Sequence, residues 1–306
     1  SREGDTLFDA SLNNFFTSSF DDIGNFPLPT FGPKTKSSDY KSTNSNIYTA
    51  AKFNPADDLK VTVGGSLLSY KLSGISYGAP QDAKDNNRFT PYMGAVYDLN
   101  NTHSVYASYA GIYRPQVEKN VSNSLLPPLK GKNYEVEWFN KTLNSSFAMF
   151  KTEQENQPQF VTQTATQTLY APIHATTKGY EFDVSGAVTE RLNINAGYTL
   201  LMSVKDDQDQ NVNPFIPRHL VRLTAVYSVP FVENLKVGAS VNWQSDVHVD
   251  IGDVRYKQDQ YAVLNLMANY KIDKHWHAAV NVYNVTNEKY LSSLRYAEGA
   301  QAFYAQ

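Results

Sequence analysis

The chain has 306 residues, a formal net charge of −3, 41% hydrophobic, 13% aromatic and 19% charged side chains, and no cysteine. This composition excludes a disulfide framework or thiol site and gives no electrostatic reason to expect nucleic acid as a partner. No run of about 18 apolar residues occurs, which excludes transmembrane helices, although the length suffices for many membrane-crossing strands.

Residues 1–45 read as a polar loop with no signal peptide before Ser1, so the sequence is expected to be a fragment. Strand-like runs follow near 46–53 and 59–70, joined by a tight turn at 54–58. A run near 89–99 leads through a turn at 99–102 into Val105, Ala107 and Tyr109. Tyr134, Val136 and Trp138 lead through a turn at 140–144 into a run near 145–151. Tyr180, Phe182, Val184, Gly186 and Val188 alternate with polar residues up to a turn at 189–191. Leu192, Ile194, Ala196, Tyr198 and Leu200 alternate after it. Val221, Leu223, Ala225, Tyr227 and Val229 lead to a turn at 230–234, then to Leu235, Val237, Ala239, Val241 and Trp243. The last pair is Ala262, Leu264, Leu266, Ala268 and Tyr270, then a turn at 272–274, then Trp276, Ala278, Val280 and Val282.

About twelve strands are therefore expected. Short turns alternate with long polar segments at 71–88, 113–132, 152–173, 203–217, 246–260 and 285–302. Short connections at one end and long ones at the other are the pattern of an up-and-down membrane barrel.

Charge separates the two faces. Glu135, Glu137, Glu181, Asp183, Arg222 and Lys236 all fall on the polar side of their strands. A basic side chain facing lipid at mid-membrane costs about 2–4 kcal/mol, so the apolar side is assigned to lipid and the charged side to a wet lumen. On the apolar side Tyr109, Tyr134, Tyr180, Phe182, Tyr198 and Trp243 lie toward the long segments, and Trp138, Tyr227, Tyr270 and Trp276 toward the short turns. Aliphatic residues such as Val136, Ile194, Leu223, Val237, Leu264 and Val280 lie between them. Two aromatic belts around an aliphatic band are what two lipid–water interfaces select. A soluble sandwich would also show one apolar face, but would more often centre its large aromatics.

Five segments carry a family resemblance. They are FTPYMGAVYDLNNTHSVYASYAGIYRPQ (89–116), LPPLKGKNYEVEW (126–138), KGYEFDVSGAVTERLNINAGYTL (178–200), FIPRHLVRLTAVY (215–227) and YAVLNLMANYKIDKHWHAAVNVYNVTNEKYL (261–291). In this order and spacing they resemble the TonB-dependent siderophore receptors of Gram-negative outer membranes. The resemblance implies a plugged barrel of roughly 22 strands that imports ferric siderophores with energy delivered through the TonB complex. Residues 1–306 then form the C-terminal portion of that barrel, about strands ten to twenty-one. On that reading the plug domain, the TonB box, the early strands and the last strand are expected to lie outside these residues. With two unpaired edges, such a piece is expected neither to insert stably nor to transport alone. The resemblance further implies a monomeric barrel that contacts outer-membrane lipid and lipopolysaccharide. A passive substrate-specific channel, or a receptor for another chelate such as haem or cobalamin, is the alternative reading.

The long segments are the expected ligand surface, since loops on a rigid scaffold carry recognition. Tyr113, Arg114, Tyr170, His174, Phe215, Arg255 and Tyr256 lie at strand-to-loop junctions. Aromatic and basic side chains there suit a bulky, polar ferric siderophore. Asp207, Asp209 and Asn211 supply oxygen ligands at alternating positions, as a calcium loop does, but without its glycine and distal glutamate. His275 with His277, and His248 with Asp250, are two-residue spacings that could each supply part of a metal site. Catalytic motifs such as G-x-S-x-G and H-E-x-x-H are absent, so no enzyme activity and no cofactor is expected.

Overall fold

The computed structural model describes residues 38–291, except 77–78, 141–142, 165–166 and 252, together with residues 294 and 304–305. In chain order the strands are β1 (Ser38–Ala56), β2 (Leu59–Ser76), β3 (Ala79–Pro80), β4 (Ala83–Asp98), β5 (His103–Arg114) and β6 (Leu129–Asn140). They continue as β7 (Asn144–Gln163), β8 (Thr168–Ala187), β9 (Leu192–Asp206), β10 (His219–Ser228), β11 (Leu235–Gln244) and β12 (Val247–Ile251). The last are β13 (Val254–Gln258), β14 (Tyr261–Lys271), β15 (His277–Val282), β16 (Tyr290–Leu291) and β17 (Tyr304–Ala305).

One antiparallel sheet runs β1-β2-β4-β5-β6-β7-β8-β9-β10-β11-β14-β15, with β3 paired to β2. That path has the twelve strands expected from alternation, each bonded to its neighbour in sequence apart from the short β3, β12 and β13. β12 and β13 form a separate hairpin, and β16 pairs with β17. Among the described residues, β1 and β15 are each bonded on one side only.

Register places the apolar residues in continuous rows. Val184, Ala196, Leu223, Val241 and Leu264 lie opposite one another across five strands. The next row is Gly186, Ile194, Ala225, Ala239, Leu266 and Val282. Among the described residues no second layer covers these rows. Val136 is 52% exposed, Leu223 41% and Val280 61%, and neither Ile194 nor Leu264 is buried. A broad apolar sheet face left open over this area is uncommon on a soluble monomer, but it matches a surface that meets lipid.

The polar face forms rows of its own. Asp98, Ser104, Phe139, Ser146, Asp183, Gly197 and Arg222 are aligned in one, and Tyr106, Glu137, Ala148, Glu181 and Thr199 in the next. Lys60 pairs with Asp98 at 2.5 Å, and Ser104 donates a hydrogen bond to the same carboxylate. Lys60, Asp98, Glu137 and Asp183 line a cleft of about 500 Å³ near the short-turn end. The carboxylates expected in a hydrated lumen therefore share one face.

The short turns fall where expected, and polar side chains close them. Asn100 Oδ1 accepts from the backbone N–H of Thr102 (2.8 Å) and His103 (2.9 Å). Thr189 Oγ1 does the same for Arg191 and Leu192, and Asp273 Oδ1 for His275 and Trp276. Side-chain oxygens that mimic a backbone turn are the usual device of Asn, Asp and Thr.

The long segments differ from expectation. The stretches read as loops at 71–88 and 152–173 are mostly strand, because β2 reaches Ser76, β4 begins at Ala83, β7 runs to Gln163 and β8 begins at Thr168. Strands of 20 residues such as β7 and β8 are about 65 Å long, against roughly 30 Å of hydrocarbon. Beyond the membrane both faces are wet, so alternation of apolar and polar residues stops although hydrogen-bond pairing continues. Bulges punctuate these extensions. Asn87 (φ 54°) sits where the β2–β4 register shifts, and Asn156 (φ 60°) where β7–β8 shifts. Asn tolerates the left-handed backbone at such points. Residues 1–37, and most of 292–306, lie outside the described residues.

Candidate functional site

The residues expected to bind ligand all lie at the end of the strands opposite the short turns, in two groups. The first gathers around the end of β5. Tyr113 and Arg114 are its last two residues, and Tyr113 follows Tyr109 of the outer aromatic belt by about 13 Å along the strand. The Tyr113 hydroxyl donates to Asp85, whose carboxylate also accepts from Arg88 Nε. Burial of Asp85 pushes its carboxyl up. The hydrogen bonds from Tyr113 and Arg88, with the charges of Arg88 and Lys130, outweigh this and hold it below the usual carboxylate range. The Tyr113 phenol is pushed up, first by burial and then by Asp85. Arg114 is exposed.

The segment after β5 folds back on β8. Tyr170 N–H donates to the Lys119 carbonyl at 2.8 Å, and Lys119 also bridges Leu125 and Leu169. Gln116 Nε2 donates to the carbonyls of Pro127 (2.6 Å) and Asn156 (2.7 Å), which ties this segment to the β7 bulge. Lys119 is 5% exposed, and its Nζ has no hydrogen-bond partner among the described residues. Burial draws its pKa below the ordinary lysine value. His174, further along β8, places Nδ1 3.0 Å from Asp207 Oδ2.

The second group joins the β9–β10 loop to the β12–β13 hairpin. Phe215 is half-buried in that loop, and the neighbouring Pro214 carbonyl accepts from His248 N–H at 3.2 Å. Arg255 and Tyr256 are exposed on β13. Arg255 donates through Nε (2.7 Å) and Nη2 (2.9 Å) to both oxygens of Asp250. Arg218 anchors the base of the loop through Nη2 to the Val212 carbonyl at 3.1 Å.

The metal candidates are drawn apart by other partners. Asp207 faces His174, Asp209 pairs with Lys205 Nζ at 2.7 Å, and Asn211 meets Lys205 through its backbone. His248 loses Asp250 as a prospective co-ligand to the Arg255 fork. His275 lies in the turn and β15 begins only at His277, so the two imidazoles do not share a strand face. Among the described residues no group of three or more His, Cys, Asp or Glu stands close enough to hold a metal ion.

Sequence reasoning missed Asp85, Arg88, Gln116 and Lys119. Asp85 and Arg88 sit in a stretch read as loop, and only the β4 bulge presents both near Tyr113. Lys119 reads as an ordinary surface lysine, and its burial arises from the chain folding back onto β8.

Residues 3–285 match the family model described as TonB dependent receptor-like, beta-barrel. The chain is 32% identical to the ferripyoverdine receptor of Pseudomonas aeruginosa across 95% of its own length and 38% of that relative's. It spans well under half the length of each of the ferric-pyoverdine receptors it matches. Among solved structures, the ferripyoverdine receptor of the Pseudomonas aeruginosa outer membrane bound to ferripyoverdine superposes with a TM-score of 0.78 at 32% identity, over 89% of this chain and 38% of that one. The FpvAI–pyocin S2 complex gives 0.80 at 32% identity, over 92% and 40%.

Proposed function

The chain belongs to the TonB-dependent receptor β-barrel family, and from that premise we propose that the protein is an outer-membrane receptor for ferric siderophores that mediates TonB-energised import. Residues 1–306 make up the C-terminal portion of its barrel, and the unpaired edges of β1 and β15 take further strands. The barrel is a multi-pass element of the bacterial outer membrane.

One observation supports the ligand assignment: aromatic and basic side chains lie in both groups at the outer end of the strands, past the outer aromatic belt. Tyr113, Tyr170, Phe215 and Tyr256 offer ring faces and edges, and Arg114 and Arg255 offer cationic donors. A ferric siderophore is bulky, rich in oxygen and frequently aromatic, and this mixture complements it. Tyr113, Arg114, Tyr170, Arg255 and Tyr256 sit on paired strands, so they are held in place before ligand arrives. That lowers the ordering cost of binding. The likeness to ferripyoverdine receptors supports a pyoverdine-type siderophore over haem or cobalamin. No catalytic step enters this reading, and the transported chelate is cargo, not a cofactor.

The test is iron-55 uptake from single ferric siderophores by cells with and without the full-length protein. Uptake of at least one ferric pyoverdine should depend on the protein and stop when TonB is deleted. Unchanged uptake for every ligand would remove the import reading. A protein bacteriocin docking on the same outer surface is a second reading, supported by the relative in complex with pyocin S2. It predicts that the gene confers pyocin sensitivity.

A further inference from the structure

The segment between β5 and β6 holds a buried, unpaired charge. After Arg114 the chain leaves the sheet and rejoins it only at Leu129. In between, Leu126 N–H donates to the Glu118 carbonyl and Asn120 N–H to the Ser124 carbonyl, both at 2.8 Å, so residues 118–126 fold as a small hairpin. Asn120 Oδ1 closes its tip by accepting from the N–H groups of Ser122 and Ser124, each at 3.0 Å.

This hairpin is a strap across the outer end of the sheet. Lys119 bridges in parallel to Leu169 of β8 and accepts from Tyr170 N–H. The pairing of β9 with β8 reaches only to Ala175 among the described residues, so the strap takes up the edge of β8 that β9 leaves open. On the strap's other side lies β2. Burial raises the Tyr70 phenol of that strand, and the charge of Glu118 adds to the rise. Four strands, β4 to β7, separate β2 from β8 in the sheet.

Lys119 is 5% exposed, and it has neither a hydrogen bond nor an ion pair from its ammonium among the described residues. Its bridge partners are Leu125 and Leu169, which offer no counter-charge. Buried polar groups are normally hydrogen-bonded, and an unpaired ammonium is among the least favourable groups to bury. Each closure of the strap therefore gives up stability. Anything that offers the ammonium an oxygen partner in the open form shifts the strap toward opening.

We propose that Lys119 is a specificity-determining residue of the receptor: an incoming ferric siderophore displaces the strap and sets a free carboxylate on the Lys119 ammonium. This deepens the import reading and rests on it. The chemistry of the group selects the partner. An ammonium has three donors and no acceptor, so it calls for oxygen. Oxygens that ligate iron share their charge with the metal, whereas a carboxylate outside the coordination shell keeps its own and makes the stronger, charge-assisted bond. Position agrees, because the strap is bonded directly to Tyr170, one of the aromatic residues assigned to ligand.

The experiment uses the full-length receptor in mild detergent, with titration calorimetry for affinity and hydrogen exchange for the strap. The probes are a ferric pyoverdine bearing a free carboxylate and the same chelate with its carboxylates converted to methylamides. Wild type should bind the carboxylate form about thirty-fold more tightly, and exchange in residues 116–128 should rise when it binds. Lys119→Met, which keeps the volume and removes the charge, should bind both forms alike. In the free Met variant the strap should exchange more slowly than in wild type. A Met variant that retains the thirty-fold preference overturns the assignment. So does one that loses affinity for both forms equally, which marks a structural role only. Wild type binding both forms alike gives the ammonium to a bound water and overturns the ligand contact, and unchanged exchange on binding overturns the displacement. Failure of the import reading looks different: wild type would then bind neither form.

Discussion

An arginine placed at Leu223 should distinguish a lipid-facing surface from a buried core and from a wet lumen. Leu223 lies in the row Val184–Ala196–Leu223–Val241–Leu264. On β10, Val221 is level with Tyr198 and Trp243 of the outer belt, and Tyr227 belongs to the inner belt. The interval is about 20 Å along the strand and roughly 15 Å along the normal for a strand tilted near 40°. Leu223 therefore sits within a few ångströms of the midpoint, where an outward arginine costs about 2–4 kcal/mol. Thr224 is its neighbour at the same depth, in the row Asn195–Thr224–Ser240, on the face that also holds Arg222. Its substitution by arginine should cost under about 1 kcal/mol. Urea unfolding of the full-length receptor in liposomes measures both. Leu223→Arg should lower the midpoint with the slope unchanged, while Thr224→Arg barely moves it. Equal costs, or a larger cost at Thr224, would refute the assignment of faces.

Asp85→Asn should remove an acid-sensitive step at the outer end of β4. The folded carboxyl is held below its ordinary value, so its stabilising contribution is full above about pH 4, the unfolded value, and is lost as pH falls through the folded pKa. Hydrogen exchange in residues 83–90 should rise in acid for wild type, and the Asn variant should show that exchange level at neutral pH with no further acid dependence. Gly179→Val should destabilise by about 1–3 kcal/mol. A Cβ there would meet Phe150 Cζ at 2.5 Å and the Leu200 carbonyl oxygen at 2.4 Å, so the ring must move and the β8–β9 pairing must open. Thermal unfolding of the purified protein reads the loss. Asn100→Ala deletes the acceptor of three turn hydrogen bonds and should cost about 1–2 kcal/mol, read as a lowered urea midpoint at constant slope.

The membrane-crossing parts of the strands and their facing were legible in sequence because lipid and lumen impose opposite demands on successive residues. Each apolar list, from Val105–Tyr109 to Trp276–Val282, falls on one face in the observed register wherever its residues are paired. The turn residues were legible because Asn, Asp and Thr close tight turns with their own side chains. The extended hairpins were not. From Lys151 to Gln163 the chain stays paired with β8, yet both sides meet water, and no alternation survives to mark a strand.

The ends of the site were hidden for a related reason. Tyr113, Arg255 and Tyr256 were recognisable as aromatic or basic residues at junctions, but their partners were not. Asp250 is tied up by Arg255 only because the β12–β13 pairing sets those residues opposite each other. Asp85 reaches Tyr113 only across a bulge, and Lys119 is buried only because its segment returns to β8. The sequence by itself determined where the chain crosses the membrane, in what order, and which side of each ribbon is dry, because the solvent on each side selects every second residue. Tertiary structure alone decided which distant charges meet and how far the hairpins rise, because those outcomes depend on register and bulges set by pairing between strands.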